Sequence, residues 1–170
     1  MQATEFSEQN KQLWWTGYSL STFFRNMDYI IERITAENYH LFEDMVYWRG
    51  TGTERMPSTG TNAPEELADP NLYVYAAKAD GRYVGWISLV YLPKISRVKK
   101  GYVYVDELWV QENWRRQGMA TALMSKADRL KEKLNATGVR LYVNINNPGA
   151  KKLYENCGFI TDGTAEFMEK

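Results

Sequence analysis

A short run in the second half of the chain combines small and basic residues at the predicted start of a helix. Gly118 and Ala120 carry small side chains there, and Arg115 and Arg116 come just before them. Small side chains let a ligand approach the main chain, and the first N–H groups of a helix lack partners within it, so such a terminus attracts anions. The run therefore predicts a phosphate-binding turn. Taken alone, the small pair fits close packing of a helix on a strand equally well.

Two other phosphate-binding motifs fit this segment less well. A Walker loop needs Gly-Lys followed by Ser or Thr, and the segment does not contain that sequence. A dinucleotide fingerprint needs three glycines after the strand, and the segment offers Gly118 alone.

The predicted elements place this turn between a strand and a long helix. Apolar residues recur every three or four positions over residues 115–136, whereas residues 101–110 are rich in strand-forming side chains. Asp80-Gly81 predicts a tight hairpin turn, and the strand-helix-strand unit after it predicts a parallel pair. Further strands are predicted at 29–34, 72–79, 82–92, 139–145, 159–161 and 165–168, and further helices at 35–49 and 147–158. The pattern predicts an α/β (α+β) fold with a mixed, largely antiparallel central sheet of about six to seven strands, flanked by helices.

Residues 1–27 show no clean hydrophobic period and are predicted to form an arm or short helix that docks through its aromatic side chains. Residues 28–170 form the predicted domain. Residues 50–71 form a long irregular connection, with a turn of helix predicted at 64–68, and connections of that length are uncommon unless functional.

Composition narrows the class of protein. Lys plus Arg and Asp plus Glu number 21 each, so the formal net charge is zero. Nucleic acids and anionic membranes attract proteins with a large positive field, so neither is an expected partner. One cysteine, Cys157, and one histidine, His40, cannot form a disulfide or a Cys₂His₂ zinc site, so no metal is expected. No secretory signal is recognisable at the start of the chain, and we expect a cytoplasmic protein.

A second motif begins at Asn147, downstream of the predicted turn and the long helix. It reads Asn147-x-x-Ala150-x-x-Leu153-Tyr154-Glu155-x-x-Gly158-Phe159. Together with Arg115-x-x-Gly118-x-Ala120, it resembles the paired signature of the GNAT superfamily of acyl-CoA-dependent N-acetyltransferases. The resemblance is firm over residues 102–160. It implies that residues 28–170 form a GNAT-like domain in which two parallel strands splay apart.

The resemblance implies acetyl-CoA as the cofactor and CoA as the product. The backbone of Leu108 and Val110 would pair with the pantetheine arm, amides from Arg116 to Thr121 would hold the diphosphate, and Asn147 would bond the CoA arm. The implied cofactor-binding set is Leu108, Trp109, Val110, Arg115, Arg116, Gln117, Gly118, Met119, Ala120, Thr121 and Asn147. The basic run of Lys94, Arg97, Lys99 and Lys100 is either a solvated turn or a contact for the adenosine 3′-phosphate.

Two side chains suit the proton transfers of acyl transfer. An amine that attacks a thioester must lose a proton, and the leaving thiolate must gain one. Tyr154 matches the tyrosine that serves as general acid in similar enzymes, with packing in a helix as the alternative. The resemblance also implies a carboxylate at about this point of the strand as a base acting through water, and Glu107 is favoured over Asp106 for that role. Strict strand alternation puts these two carboxylates on opposite faces, and a β-bulge, which is common near functional sites, would swap the faces that they occupy.

The resemblance therefore implies an N-acetyltransferase that moves an acetyl group from acetyl-CoA to a primary amine by direct attack in a ternary complex. The alternative is a non-catalytic acyl-CoA-binding or interaction module with the same fold. The amine, on a small molecule or on a peptide or protein, stays open, as does the choice between a monomer and a homodimer.

Overall fold

The computed structural model describes residues 28–54, 56, 63–95, 100–166 and 168–170. The expected N-terminal arm, residues 1–27, lies outside them, as do Arg97 and Lys99. The strands are β1 (Ile30–Arg33), β2 (Leu72–Ala79), β3 (Arg82–Leu92), β4 (Tyr102–Val110) and β5 (Gly138–Leu141). The helices are α1 (Tyr39–Thr51), α2 (Met119–Leu134) and α3 (Pro148–Asn156), with short 3₁₀ turns at Glu65–Ala68 and Glu112–Trp114. None of the helices in these ranges is both long and apolar enough to cross a bilayer.

The strands form one mixed sheet in chain order, β1-β2-β3-β4-β5. The first three pairings are antiparallel, and β4 pairs with β5 in parallel across the α2 crossover. Asp80 and Gly81 both have positive φ, 49° and 80°, as a tight two-residue hairpin turn requires. The predicted fold class and hairpin are thereby confirmed.

The sheet separates two hydrophobic clusters. On one face, α2 buries Met119, Leu123, Met124, Ala127 and Leu130 against the strands. On the other face, Met45 of α1 packs with a cluster that includes Tyr83 and Trp86 of β3. Because β3 and β4 lie between these layers, their main chains are fixed from both sides.

The parallel pair separates partway along its length. Tyr102–Val105 pair with Gly138–Leu141, and β4 then continues to Val110 without β5. The prediction of a strand through residue 145 is wrong beyond Leu141. The Asn144 side chain accepts a hydrogen bond from the Asn146 amide (2.8 Å), and the Asn144 carbonyl accepts one from the Asn147 amide (2.8 Å). This local turn competes with the ladder and draws the chain away from β4.

The sheet of the described residues has five strands rather than about six or seven. Residues 159–161 and 165–166 make no ladder, and Phe167 lies outside the described residues. Ile160 and Met168 are 88% and 87% exposed, so these short runs bury too little apolar surface to hold a strand pair. The helix predicted from residue 115 begins instead at Met119, because Arg116 and Gly118 adopt left-handed backbone.

Leu123 lies at the centre of the α2 face and is fully buried. We expect Leu123→Ala to lower the free energy of unfolding by about 2–5 kcal/mol, because it removes apolar contacts and leaves a cavity. Urea denaturation followed by circular dichroism measures the change. Arg129→Ala, on the exposed side of the same helix, serves as the control and should stay within about 0.5 kcal/mol of the wild type. Equal effects of the two substitutions would contradict the assigned helix face.

Candidate active site

An extra residue in β4 determines which side chains face the site. Ser88 of β3 pairs with Glu107, whereas the next residue, Leu89, pairs with Val105, so Asp106 forms a β-bulge. Val105 and Leu108 both pack in the cluster beneath α2. The two residues between them therefore fall together on the opposite face, toward α1. Strict alternation would have separated Asp106 from Glu107, and the bulge brings both exposed carboxylates to one face.

The Glu107 carboxylate is held by an arginine that is distant in sequence. Arg49 Nη1 lies 2.9 Å from Glu107 Oε1, and the two side chains are 40% and 48% exposed. The Arg49 guanidinium also lies over the rings of Trp86 and Trp109, at 4.8 and 5.9 Å from their centroids. Sequence reasoning missed Arg49, because no local pattern links positions 58 residues apart.

Two indoles lie beside this ion pair, and a third packs on one of them. The rings of Trp86 and Trp109 lie 5.1 Å apart, and the ring of Trp48 meets Trp109 edge-on at 6.3 Å. The Trp109 side chain, expected among the cofactor-binding residues, thus packs on the α1 face. It packs beside Arg49, the partner of Glu107. Its main chain belongs to the part of β4 that pairs with β3 but extends beyond the pairing with β5.

The turn between β4 and α2 presents a row of backbone amides. Arg116 and Gly118 have φ of 63° and 78°, and the first backbone bond of α2 runs from the Ala122 amide to the Gly118 carbonyl (2.9 Å). The amides of residues 116–121 donate to no acceptor within the described ranges. A Cβ placed on Gly118 would meet no heavy atom within 4 Å. The turn therefore has both the donors and the space to bind an anion.

The two side chains that flank this turn are directed back to the main chain. Arg115 Nε donates to the Val110 carbonyl (2.9 Å), and Gln117 Nε2 donates to the Asn113 carbonyl (3.0 Å). The Arg115 bond fixes the turn to the end of β4. It also engages one of the main-chain groups expected to pair with the pantetheine arm.

Helix α3 docks beside the turn. Tyr154, Cys157 and Phe159 at the end of α3 pack against the cluster that includes Met119 at the start of α2, and burial raises the pKa of the Cys157 thiol. Tyr154 precedes Cys157 by three residues, so both lie on the same face of the chain at the end of α3. Tyr154 is half-buried, and its ring centroid lies 6.1 Å from that of Phe159. Burial raises the pKa of the Tyr154 phenol above its usual value.

Asn147 begins α3, as its position before Pro148 predicts. Its Oδ1 accepts a hydrogen bond from the Ala150 amide (3.0 Å), which confirms the predicted N-cap. The Nδ2 group has no acceptor among the described residues, so its two hydrogens are available to water or to a ligand.

A groove of about 310 Å³ lies beyond the end of β4 and beside α1. Residues of α1, the β2–β3 turn and the segment after β4 line it: Trp48, Glu54, Asp80, Arg82, Gln111, Asn113 and Trp114. Arg82 pairs with Glu54. No local sequence pattern indicates this groove, because its walls come from segments far apart in the chain. In the basic run, Lys94 and Lys100 are exposed. Within the described ranges, no three His, Cys, Asp or Glu side chains cluster closely enough to hold a metal ion.

Comparison with known proteins agrees with this geometry. A profile of the Acetyltransferase (GNAT) family matches residues 30–159, and the chain belongs to this family. An N-alpha-acetyltransferase of Sulfurisphaera tokodaii is 35% identical over 105 residues, which is 56% of this chain and 60% of that protein. The chain spans between 25% and 62% of the length of the curated relatives it matches.

Solved structures share the fold. An aminoglycoside acetyltransferase from an uncultured soil metagenomic sample superimposes with a TM-score of 0.69 at 20% identity, covering 85% of this chain and 99% of that one. The aminoglycoside N-acetyltransferase AAC(6′)-Iy in complex with CoA gives a TM-score of 0.67 at 16% identity, covering 83% and 98%. At these identities the likeness establishes the fold.

The contribution of Asn147 as a helix cap can be measured in the absence of any ligand. Asn147→Ala should lower the free energy of unfolding by about 1 kcal/mol, because it leaves the Ala150 amide without its acceptor. Asn147→Asp retains an oxygen at the cap and should keep nearly the full stability. Thermal and urea denaturation measure both, and an unchanged stability in Asn147→Ala would contradict the cap.

Proposed function

We propose that this chain transfers an acetyl group from acetyl-CoA to a primary amine by direct attack in a ternary complex. The observation that carries the proposal is the opening between β4 and β5, which begins after Val105 beside the free amides at the start of α2. Family membership supports acetyl transfer as the chemistry.

The residues around the opening fit acetyl-CoA. Amides from Arg116 to Thr121 would hold the diphosphate, since a helix N-terminus favours an anion. The main chain of β4 from Leu108 to Val110 would bond the pantetheine arm, with Asn147 Nδ2 as a further donor. When bound, acetyl-CoA supplies the thioester whose acetyl carbon forms a bond to the amine nitrogen as the C–S bond breaks.

Two protein groups would handle the protons. Tyr154 would hold a proton on its hydroxyl and give it to the departing sulfur. Its raised pKa suits that role, because the phenol stays protonated through neutral and mildly alkaline pH. Glu107, exposed at the bulge, would accept the proton that the amine loses, through a water molecule. The protons then balance, with one taken from the amine and one delivered to the thiolate.

The α1 side of β4 favours a cationic acceptor. The groove there carries the carboxylates of Glu54 and Asp80 beside the indoles of Trp48 and Trp114. Glu54 pairs with Arg82, which leaves the Asp80 carboxylate as negative charge at the groove. Carboxylates and aromatic faces both attract ammonium groups. Asp106 adds negative charge on the α1 face, where Arg49 balances the charge of Glu107. A small polyamine-like or aminoglycoside-like amine fits this charge pattern.

A panel of primary amines, read by release of the CoA thiol from acetyl-CoA, tests the function. The proposal expects thiol release with at least one class of cationic amine. A thermal shift with acetyl-CoA, without thiol release from any amine, would instead support a non-catalytic acyl-CoA-binding module. A thermal shift with ATP or NAD but not with acetyl-CoA would contradict acetyl-CoA as the cofactor.

We expect Tyr154→Phe to lower kcat by roughly 10²-fold, because the departing sulfur loses its proton donor. The dissociation constant for acetyl-CoA should not change. The wild-type kcat should hold into alkaline pH beyond the usual range of a tyrosine, since the acid form persists there. Tyr75→Phe is the matched control, because burial also raises the pKa of that tyrosine, on β2. An unchanged kcat in Tyr154→Phe would rule out Tyr154 as the general acid.

We expect Gly118→Ala to weaken acetyl-CoA binding by about tenfold or more, because a methyl group at this close approach obstructs the diphosphate. Gly52→Ala is the control, since Gly52 also has positive φ (71°), caps α1, and would place its added methyl group more than 4 Å from any heavy atom. Both variants should lose similar stability, about 1 kcal/mol. Titration calorimetry with acetyl-CoA measures binding, and equal affinities in the two variants would contradict the diphosphate site.

A further inference from the structure

We propose that Arg49 is a positioning residue that holds the Glu107 carboxylate in place for proton transfer. This inference rests on the proposed acetyltransferase function and adds to it a residue from the first helix, outside both sequence motifs. The evidence is the ion pair between the two side chains and the aromatic surface that fixes the arginine.

The arginine is anchored by rings rather than by hydrogen bonds to the main chain. Its guanidinium lies 4.8 Å from the centroid of Trp86, which is only 2% exposed and packs against Phe42 of α1. Trp109 offers a second ring at 5.9 Å and in turn contacts Trp48. The planar guanidinium thus rests on a rigid surface that α1, β3 and β4 build together.

The Glu107 carboxylate needs a partner to hold it in one rotamer. Glu107 lies at the bulge with a side chain 48% exposed, so that without a partner it would sample several rotamers. Arg49 Nη1 engages Oε1 at 2.9 Å, and Oε2 makes no hydrogen bond to any described residue. One oxygen is therefore fixed while the other stays available to accept a proton.

Stability alone does not account for the arrangement. An ion pair between side chains as exposed as these contributes little to the free energy of unfolding, because solvent screens it and two long side chains lose rotamer freedom. The position of the guanidinium over the rings of Trp86 and Trp109 gives the pair a defined geometry instead. Defined geometry is what proton transfer from a bound amine requires.

In a competing interpretation, Arg49 is a plug, that is, a side chain that blocks the binding surface for the amine. Its guanidinium would then occupy the surface of Trp86, Trp109 and Glu107 that should receive the cationic acceptor. The two interpretations predict opposite kinetics. Removal of a positioning residue lowers kcat, whereas removal of a plug lowers the KM for the amine and leaves kcat intact.

The test compares Arg49→Met, Arg49→Lys, Glu107→Gln and the double variant Arg49→Met/Glu107→Gln by steady-state kinetics with the best amine of the panel. We expect Arg49→Met to lower kcat by about tenfold or more with an unchanged KM for acetyl-CoA. Arg49→Lys should recover part of that loss, since it keeps the charge without the stacking plane. The double variant should be no slower than Glu107→Gln alone, because Arg49 acts through the carboxylate.

Arg33→Met is the matched control. The Arg33 guanidinium also covers an aromatic ring, that of Tyr73 at 4.6 Å, on the β1 side of the sheet. It should leave kcat and both KM values at the wild-type level.

Several results would overturn the inference. An unchanged kcat in Arg49→Met, losses that multiply in the double variant, or a lower KM for the amine with kcat intact would each do so while leaving the proposed function standing. Absence of thiol release by the wild-type chain with every amine would overturn the proposed function, and the role of Arg49 with it.

Discussion

The bulge at Asp106 is the constraint on which the site depends. The additional residue in β4, Asp106, turns Glu107 toward α1. The pairing of β4 with β5 ends at Val105, immediately before this bulge. The remaining main-chain groups of β4 on that side have no strand partner. Backbone N–H and C=O groups need partners from water, protein or ligand, so the opening is a natural place for a polar, extended molecule to bond along a strand.

The rest of the fold keeps this opening rigid. The buried face of α2 fixes that helix against the sheet, and its N-terminus thereby stands at the end of β4. Arg115 ties the intervening turn to the Val110 carbonyl, and Tyr154 and Cys157 pack the end of α3 against the cluster beneath α2. On the opposite face, the indoles of Trp86 and Trp109 hold Arg49 against Glu107. In the proposed site, both faces of β4 would therefore contribute.

Local features of this structure could be predicted from the sequence because their causes are local. The hairpin follows from Asp80-Gly81, the α2 face from a helical period, and the α3 cap from Asn147-Pro148. A bulge could be named as an alternative, since bulges are common near functional sites. Its position, and the fact that it brings both acids to one face, follow only from the pairing of β4 with β3.

Other features depend on contacts that the sequence does not display. The Asn144 turn ends β5 early although the apolar alternation continues to Ile145. The start of α2 moves to Met119 because two left-handed residues precede it. Arg49 meets Glu107 only after three strands and a helix are in place, and the groove beside Trp48 likewise combines distant segments. Local patterns establish elements, whereas pairs between distant elements emerge from packing.

A crystal structure with acetyl-CoA bound tests the central claim most directly. The account predicts the diphosphate on the amides of residues 116–121 and the pantetheine arm along Leu108–Val110, between the separated strands. A coenzyme bound elsewhere, or an opening closed by side chains from the rest of the protein, would contradict it.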